Sequence, residues 1–228
     1  MNMKMERLRS STLLLLVLSG AAAQADIITQ WNVTARNIVV DSKLYTPPAN
    51  RVMGIVHTAI YKASNSVSEE YPQDMRLAAA PDASLDAAVA AASYVSLSNL
   101  LSDQSGVIET AYSKALNLIP DGPAKISGIL AGQKAAEAVL AARANDGGSL
   151  EEAYRPHTTA GSYVPTVIPA VPAWPDRQPW LMNHSAQFRP DAPPALDSAE
   201  WAKDFNEVKE MGIAGSEKRS PEQTAMAL

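Results

Sequence analysis

Apolar side chains recur at the spacing of an α-helix through most of the chain between Asp26 and Asn145. Helix-breaking residues interrupt this pattern at Tyr71-Pro72 and again at Pro120-Asp121-Gly122-Pro123. A periodicity of this kind buries one face of each helix, so it predicts an all-α fold, a helical bundle. The expected helices cover residues 27–45, 47–65, 85–101, 103–118 and 124–143.

Three of these helices have distinctive patterns. The second is expected to begin with Thr46 as its N-cap and Pro47 in its first turn. Its apolar residues cover most of its circumference, which is typical of a buried central helix. They are Val52, Met53, Ile55, Val56, Ala59, Ile60 and Ala63. The third helix, capped by Asp82 or Ser84, contains the small residues 87–92, which let neighbouring helices approach closely. Apolar residues also follow helical spacing in the fifth: Ile126, Ile129, Leu130, Ala135, Val139 and Leu140.

A Pro-rich segment follows over residues 155–194. Because proline is excluded from helix interiors and central strands, we expect a long irregular segment here. Its aromatic residues favour an ordered loop over a flexible linker, since disordered segments contain few aromatics. They are Tyr154, Tyr163, Trp174 and Trp180.

The last part of the chain contains two further helix patterns. One helix is expected over 197–211, with Trp201, Phe205 and Val208 on one face. Ser220-Pro221-Glu222-Gln223 has the pattern of a helix start, because it combines a Ser cap with an early Pro and a Gln three residues later. Leu228 follows soon after, so this pattern predicts the front part of a longer protein.

The first segment has the features of an export signal. A basic start is followed by an apolar run over 13–18 and by the small residues of Ala23-Gln24-Ala25. The basic residues are Lys4, Arg7 and Arg9. This order predicts a signal peptide over 1–25 and a mature chain that starts at Asp26 in the periplasm or outside the cell. The expected organisation then continues with a helical bundle over 26–150, a Pro-rich ordered loop over 151–196 and the start of a further helical part over 197–228.

Composition excludes several kinds of site and partner. The chain contains no Cys, so disulfides and thiolate metal sites are excluded. A net charge of -5 argues against a nucleic-acid partner, because phosphate binding requires a basic face. No second long apolar stretch follows the signal, so no membrane span is expected. The expected partner is a second copy of the chain, bound through exposed helix faces.

The sequence assigns no catalytic, cofactor-binding or metal-binding residue. Its three His residues show no zinc-protease spacing, and no nucleophile elbow or phosphate loop is present. They are His57, expected in the core, and His157 and His184 in the Pro-rich segment. The adjacent acidic pairs, Glu69-Glu70 and Glu151-Glu152, are expected on the surface. Arg155 and Arg189, each followed by Pro, are candidates either for anion binding or for surface pairing.

Two stretches carry a family resemblance. The first contains Trp31-Asn32, Asn37, Tyr45-Thr46-Pro47-Pro48-Ala49-Asn50-Arg51-Val52-Met53 and His57-Thr58-Ala59-Ile60-Tyr61. The second runs from Phe188-Arg189-Pro190 through Pro193-Pro194-Ala195-Leu196 to Trp201–Lys209. Both resemble exported bacterial vanadium-dependent haloperoxidases and the type 2 phosphatidic acid phosphatase superfamily. The resemblance covers most of the mature chain, and it consists of scaffold patterns.

The resemblance implies the N-terminal half of a haloperoxidase-like helical fold. The family binds vanadate or phosphate with Lys-x6-Arg-Pro, Pro-Ser-Gly-His and Ser-Arg-x5-His-x3-Asp, and none of these motifs occurs here. The chain is therefore expected to be the scaffold half of a haloperoxidase or acid phosphatase-like enzyme, inactive alone, with vanadate or phosphate bound only in a full-length relative. The alternative is a stand-alone exported helical protein that binds a partner through the aromatic segment.

Overall fold

The computed structural model describes residues 26–72, 77–147 and 154–227. Within these ranges all regular structure is helical, which confirms the predicted all-α fold. The helices are α1 (Ile27–Asp41), α2 (Thr46–Ser68), α3 (Leu85–Leu100), α4 (Ser105–Asn117), α5 (Pro123–Arg143), α6 (Ala199–Gly212) and α7 (Pro221–Met226). Short 3-10 turns occupy Ser102–Gln104 and Trp174–Asp176. The predicted signal peptide, 1–25, lies outside the described residues, as does Glu151-Glu152.

Local chemistry explains where the first two helices begin and end. α1 stops at Asp41, earlier than expected, because Lys43 takes a left-handed φ of 54° that a helix cannot continue. Thr46 is not the cap of α2, since it lies inside the helix as its first residue. Pro47 and Pro48, which follow Thr46, have no backbone N–H to donate. The next residue, Ala49, donates its N–H to the Tyr45 carbonyl at 3.0 Å.

Side-chain caps start α3 and α7 as predicted. The Ser84 hydroxyl accepts a hydrogen bond from the Ala87 N–H at 3.3 Å, which selects Ser84 over Asp82 as the cap. The Ser220 hydroxyl accepts from the Gln223 N–H at 3.1 Å, and the Gln223 side chain accepts from the Ser220 N–H at 2.8 Å. This reciprocal pair is a capping box, and it satisfies backbone donors that the helix itself leaves free.

The chain forms two compact units. The first comprises residues 26–42 and 56–136, and the second comprises 43–55 and 137–227. In the first unit α3 packs against α1 and α4. Its residues 87–92 are completely buried, in agreement with the expected close packing around this run. Residues 51–67 of α2 are all buried or half-buried, as its apolar circumference predicted. None of the described helices is long and apolar enough to cross a membrane.

Two glycines allow α5 to approach the backbone of α3. A Cβ at Gly128 would collide with the Ser84 carbonyl oxygen and would lie 2.8 Å from the Ala87 Cβ. A Cβ at Gly132, one helical turn later, would collide with the Ala88 carbonyl oxygen. Because van der Waals contact begins beyond these separations, only glycine fits at either position.

The first unit also contains a stacked tyrosine pair. The rings of Tyr94 and Tyr112 lie 4.2 Å apart between centroids, at an interplanar angle of 12°. The Glu109 carboxylate raises the pKa of Tyr94 above 10.0, mainly because it accepts a hydrogen bond from the neutral hydroxyl. The pKa of Tyr112 is also raised, chiefly by burial and then by the charges of Tyr94 and Glu109.

Replacing Gly132 by Ala is expected to destabilise the protein. Overpacking of this kind typically costs about 1–3 kcal/mol, which exceeds the roughly 1 kcal/mol that Ala gains over Gly in a helix. Gly106→Ala is the matched control, because beyond its chain neighbours and the adjacent backbone of its own helix no heavy atom lies within 4 Å of the added Cβ. The control should leave stability unchanged or raise it by roughly 0.5–1 kcal/mol. Thermal and urea unfolding followed by circular dichroism measure both, and equal effects of the two substitutions would contradict the close packing.

Replacing Glu109 by Gln is expected to lower the pKa of Tyr94 toward its ordinary value, because the charged acceptor is lost. A tyrosine pKa raised in the folded state contributes stability that is complete below pH about 10 and disappears as pH rises through the folded pKa. In Glu109→Gln this alkaline loss of stability should therefore be smaller and end at lower pH, because its onset near pH 10 is set by the unfolded state. Tyrosinate absorbance during a pH titration measures the change, with the exposed Glu137→Gln as control. An unchanged titration in Glu109→Gln would refute this coupling.

Candidate functional site

Arginine side chains gather around a buried carboxylate in the second unit. The Asp146 side chain is 1% exposed. The Arg51 guanidinium donates to both of its oxygens, from Nε to Oδ2 and from Nη2 to Oδ1, each at 2.9 Å. Arg177 Nη1 lies 3.8 Å from Oδ1. A two-pronged bond of this kind fixes the orientation of both side chains as well as their separation.

The ends of two helices position this pair. Arg51 lies in the second turn of α2, and Asp146 lies just beyond the end of α5. Gly147 follows with a φ of 87°, a left-handed conformation that turns the chain after the helix. Arg51 Nη2 also donates to the Arg143 carbonyl at 3.1 Å. That bond satisfies one of the carbonyls that the last turn of a helix leaves without a partner.

Arg143 connects the end of α5 to the Pro-rich segment. Its Nη1 donates to the Gln178 carbonyl at 2.8 Å, and both terminal nitrogens reach the Pro179 carbonyl. Its guanidinium stacks on the Trp180 ring, 3.8 Å from the centroid. Burial lowers the pKa of Arg143, an effect that Asp146 opposes and Arg51 reinforces. The lowered pKa reports a partly desolvated guanidinium; arginine stays protonated in proteins.

Residues 174–180 of the irregular segment pack beside Asp146. Arg177 lies over the Trp174 ring at 4.4 Å, and the Gln178 N–H donates to the Asp146 carbonyl at 3.0 Å. Trp180 packs against α2, where a Cβ at Gly54 would lie 3.3 Å from its ring. We call Arg51, Arg143, Asp146 and Arg177 the arginine clasp. Three residues of the clasp line a cavity of about 380 Å³ together with Trp174, Trp180 and Arg189; they are Arg51, Asp146 and Arg177.

The contacts of the clasp indicate a structural role. The Arg51 fork binds Asp146, and the Arg143 fork binds backbone carbonyls, so these donors are already used. A site that binds an external vanadate or phosphate needs guanidinium groups directed at that anion. Here the Arg51 guanidinium is directed at the Asp146 carboxylate of the protein itself. Within the described ranges, no three His, Asp or Glu side chains form a group that could hold a metal ion.

The His residues take different positions. His57 is half-buried on α2, and its Nε2 lies 3.0 Å from the Asn32 Oδ1 on α1. A core residue with a satisfied ring was expected; the ring has a polar partner, and its burial is partial. His157 and His184 are both exposed in the irregular segment.

The other residues singled out in the sequence lie at the surface or beside cavities. Glu69 follows α2 with a left-handed φ of 53°, and Glu70 beside it is exposed, as expected. Arg155 lines a groove of about 900 Å³ formed with Tyr45 and residues 165–172. Its Nη1 donates to the Tyr154 carbonyl at 2.8 Å. Arg189 lines the cavity of the clasp, so the two Arg-Pro arginines border different cavities.

The central pair of the clasp, Arg51 and Asp146, was not predicted from the sequence. Asn145-Asp146-Gly147 has the pattern of a helix end, where Asp is usually exposed. Nothing in that pattern predicts that the Asp146 side chain is buried. Arg51 offered one clue, because a charged residue within the apolar run of α2 requires a partner when it is buried.

Replacing Arg51 by Met is expected to destabilise the protein by about 3 kcal/mol, because it leaves the buried Asp146 carboxylate without its main partner. Arg36→Met is the matched control, since Arg36 is exposed on α1 and bonds only its neighbour Asn37 among the described hydrogen bonds. The control should change the free energy of unfolding by less than about 0.5 kcal/mol. Urea unfolding measures both variants, and equal losses would contradict a stabilising clasp.

Comparison with known proteins found no relative of this chain. No protein-family profile, no curated protein and no solved structure matches the chain. Any functional conclusion therefore depends on the residues and contacts described above.

Proposed function

We propose that this chain is the helical scaffold of an exported oxyanion enzyme related to vanadium-dependent haloperoxidases and type 2 phosphatidic acid phosphatases. In this proposal the scaffold supplies helices and packing surfaces, and another part of the enzyme supplies the vanadate- or phosphate-binding residues. The whole enzyme would oxidise halide with hydrogen peroxide on bound vanadate, or hydrolyse a phosphomonoester through a phosphohistidine. Both reactions need the same anion cradle, so the scaffold is compatible with either.

The observation that carries the proposal is the bond between Asn32 and His57. These residues belong to separate blocks of the family resemblance, 25 positions apart, and their side-chain atoms lie 3.0 Å apart. The contact links α1 to α2 within the first unit. Holding two helices together in this way is the role expected of a scaffold residue. Arg51, a third residue of the resemblance, also has a packing role, because it binds the buried Asp146 carboxylate.

The charge distribution of the clasp supports an inactive scaffold. Vanadate and phosphate are multiply charged, and their binding needs several cations with free donors around one site. In the clasp the terminal nitrogens of Arg143 donate to backbone carbonyls, while Arg51 is held by Asp146. Export remains part of the proposal and rests on the signal pattern of residues 1–25.

We expect residues 26–228, purified alone, to bind no vanadate. Isothermal titration with orthovanadate at neutral pH should give only the heat of dilution, because the family's anion-binding motifs are absent from the sequence. Arg51→Met is a useful control, since release of Asp146 should not create an anion site. Stoichiometric binding with a micromolar or lower Kd would overturn the proposal.

A stand-alone exported protein that binds a partner is the second candidate. It is favoured by the apolar side chains that the irregular segment exposes, including Val167 at 76%, Ile168 at 92% and Leu181 at 96%. The same surfaces, together with Phe205 and Val208 on α6, would serve contacts between copies of the chain. Coding DNA beyond Leu228 separates the two candidates: the scaffold proposal requires Lys-x6-Arg-Pro and Pro-Ser-Gly-His there or in a co-assembling chain.

A further inference from the structure

Asp is followed directly by Gly at two places in the chain, Asp121-Gly122 and Asp146-Gly147. The first lies between α4 and α5, and the second lies just beyond the end of α5. An aspartate carboxyl can react with the backbone nitrogen of the next residue and close a five-membered imide ring. Glycine favours this reaction, because it has no side chain to obstruct ring closure and few restrictions on its backbone. Both sequences are therefore candidates for spontaneous covalent modification.

The reaction uses only the two residues and water. The glycine nitrogen attacks the aspartate Cγ, a C–N bond forms, and the nitrogen gives up its proton. One carboxyl oxygen leaves as water, which breaks its bond to Cγ and completes the succinimide ring. Water then adds back: attack at Cγ restores aspartate, whereas attack at the backbone carbonyl gives isoaspartate. Isoaspartate has the atoms and mass of aspartate, but its main chain runs through Cβ and Cγ.

Asp121 has the features that ring closure requires. These are a carboxyl that can turn toward the glycine nitrogen, contact with solvent for the proton transfers, and a glycine N–H outside a hydrogen bond. The Asp121 side chain is 97% exposed. Gly122 lies outside the helices, and its N–H donates no hydrogen bond to any residue in 26–72, 77–147 or 154–227.

The Asp121 carboxylate pairs with Lys125 through one oxygen. Lys125 Nζ lies 2.8 Å from Oδ1. An ion pair at an exposed carboxylate is weak, because water competes for both charges, so it does not hold the carboxyl in place. The same hydrogen bond lowers the pKa of Asp121 and so favours the ionised carboxyl, which loses its oxygen more slowly. Mildly acidic buffer raises the neutral fraction and is the appropriate condition for observing ring closure.

Asp146 lacks this freedom, although glycine also follows it. Its side chain is 1% exposed, and Arg51 binds both of its oxygens at 2.9 Å. To turn toward Gly147, the carboxyl would have to leave this two-pronged bond inside a buried site. That costs far more than opening an exposed ion pair. The two Asp-Gly sequences are chemically alike, and the fold makes their environments differ.

We propose that Asp121-Gly122 is a site of spontaneous isoaspartate formation, and that the arginine clasp protects Asp146-Gly147 from the same reaction. Isoaspartate at position 121 lengthens the main chain between α4 and α5 by one carbon and displaces the carboxylate that pairs with Lys125. The site is independent of the proposed scaffold function, because the reaction needs no other part of an enzyme.

Trypsin separates the two sequences, because Asp121 falls in the peptide 115–125 and Asp146 in the peptide 144–177. The purified chain is incubated in mildly acidic buffer, folded in one sample and denatured by guanidinium chloride in another. Isoaspartyl methyltransferase then transfers a labelled methyl group from S-adenosylmethionine to isoaspartate in each peptide. In the folded chain, isoaspartate should accumulate at least about 10-fold faster in 115–125 than in 144–177. In the denatured chain the two rates should become similar.

Asp121→Glu tests the assignment of the site. Glutamate keeps the charge that pairs with Lys125, but it would have to close a six-membered ring, which is a much slower reaction. Methylation of the peptide 115–125 should therefore fall to background.

Arg51→Met tests protection by the clasp, since it releases the Asp146 carboxylate. It should raise the rate of isoaspartate formation at Asp146 at least about 5-fold and leave the rate at Asp121 unchanged. Arg36→Met, on the exposed surface of α1, is the matched control and should change neither rate. If Arg51→Met does not fold, the folded and denatured samples of the unmodified chain decide the question.

Four results would overturn the proposal. The folded chain could form no isoaspartate at Asp121, a difference between the peptides could persist in guanidinium chloride, Asp121→Glu could retain methylation of 115–125, or a folded Arg51→Met variant could leave the rate at Asp146 unchanged. Vanadate binding has no bearing on these results, so failure here and failure of the scaffold proposal are distinguishable.

Discussion

Contact between the backbones of α3 and α5 is the constraint on which the first unit depends. Residues 87–92 of α3 are buried on every side, and none is larger than valine. Each short side chain contributes little dispersion energy by itself. The helix therefore gains stability mainly because these small residues let neighbouring backbones come into contact with it. Gly128 and Gly132 permit that approach from α5, and α1 and α4 complete the packing around α3.

Local sequence signals were sufficient to predict where the helices lie, but not every helix end, since α1 stops at Asp41 and Thr46 lies inside α2. Periodicity, the Ser84 cap and the capping box at Ser220 each depend on residues a few positions apart, and each is present in the structure. The inward face of α5 was harder to predict from apolar spacing. Ile126 and Leu130, which follow that spacing, are 61% and 51% exposed, while the glycines face α3. Backbone proximity, which a hydrophobicity pattern does not register, decides this face.

The clasp and the Asn65 amide depend on contacts that spacing rules do not reveal. Arg51 and Asp146 are 95 positions apart, and one lies within an apolar helix while the other belongs to a helix stop. Asn65 resembles an ordinary helix-end residue until its bond to Tyr71 defines the direction of its amide. Both depend on burial, because a buried polar group loses its hydrogen bonds to water and needs a partner in the protein. The clasp supplies that partner for Asp146, whereas Asn65 Nδ2 makes no hydrogen bond among the described residues.

The separation of Arg51 from Asp146 also sets an order of events during synthesis. Residues 43–55 belong to the second unit, yet they are made before most of the first unit. At roughly 5–20 residues per second, about 5–20 s pass between synthesis of Arg51 and synthesis of its carboxylate partner. The second unit therefore cannot complete its central ion pair until the helices of the first unit have been synthesised, whereas the first unit has all of its own segments by then.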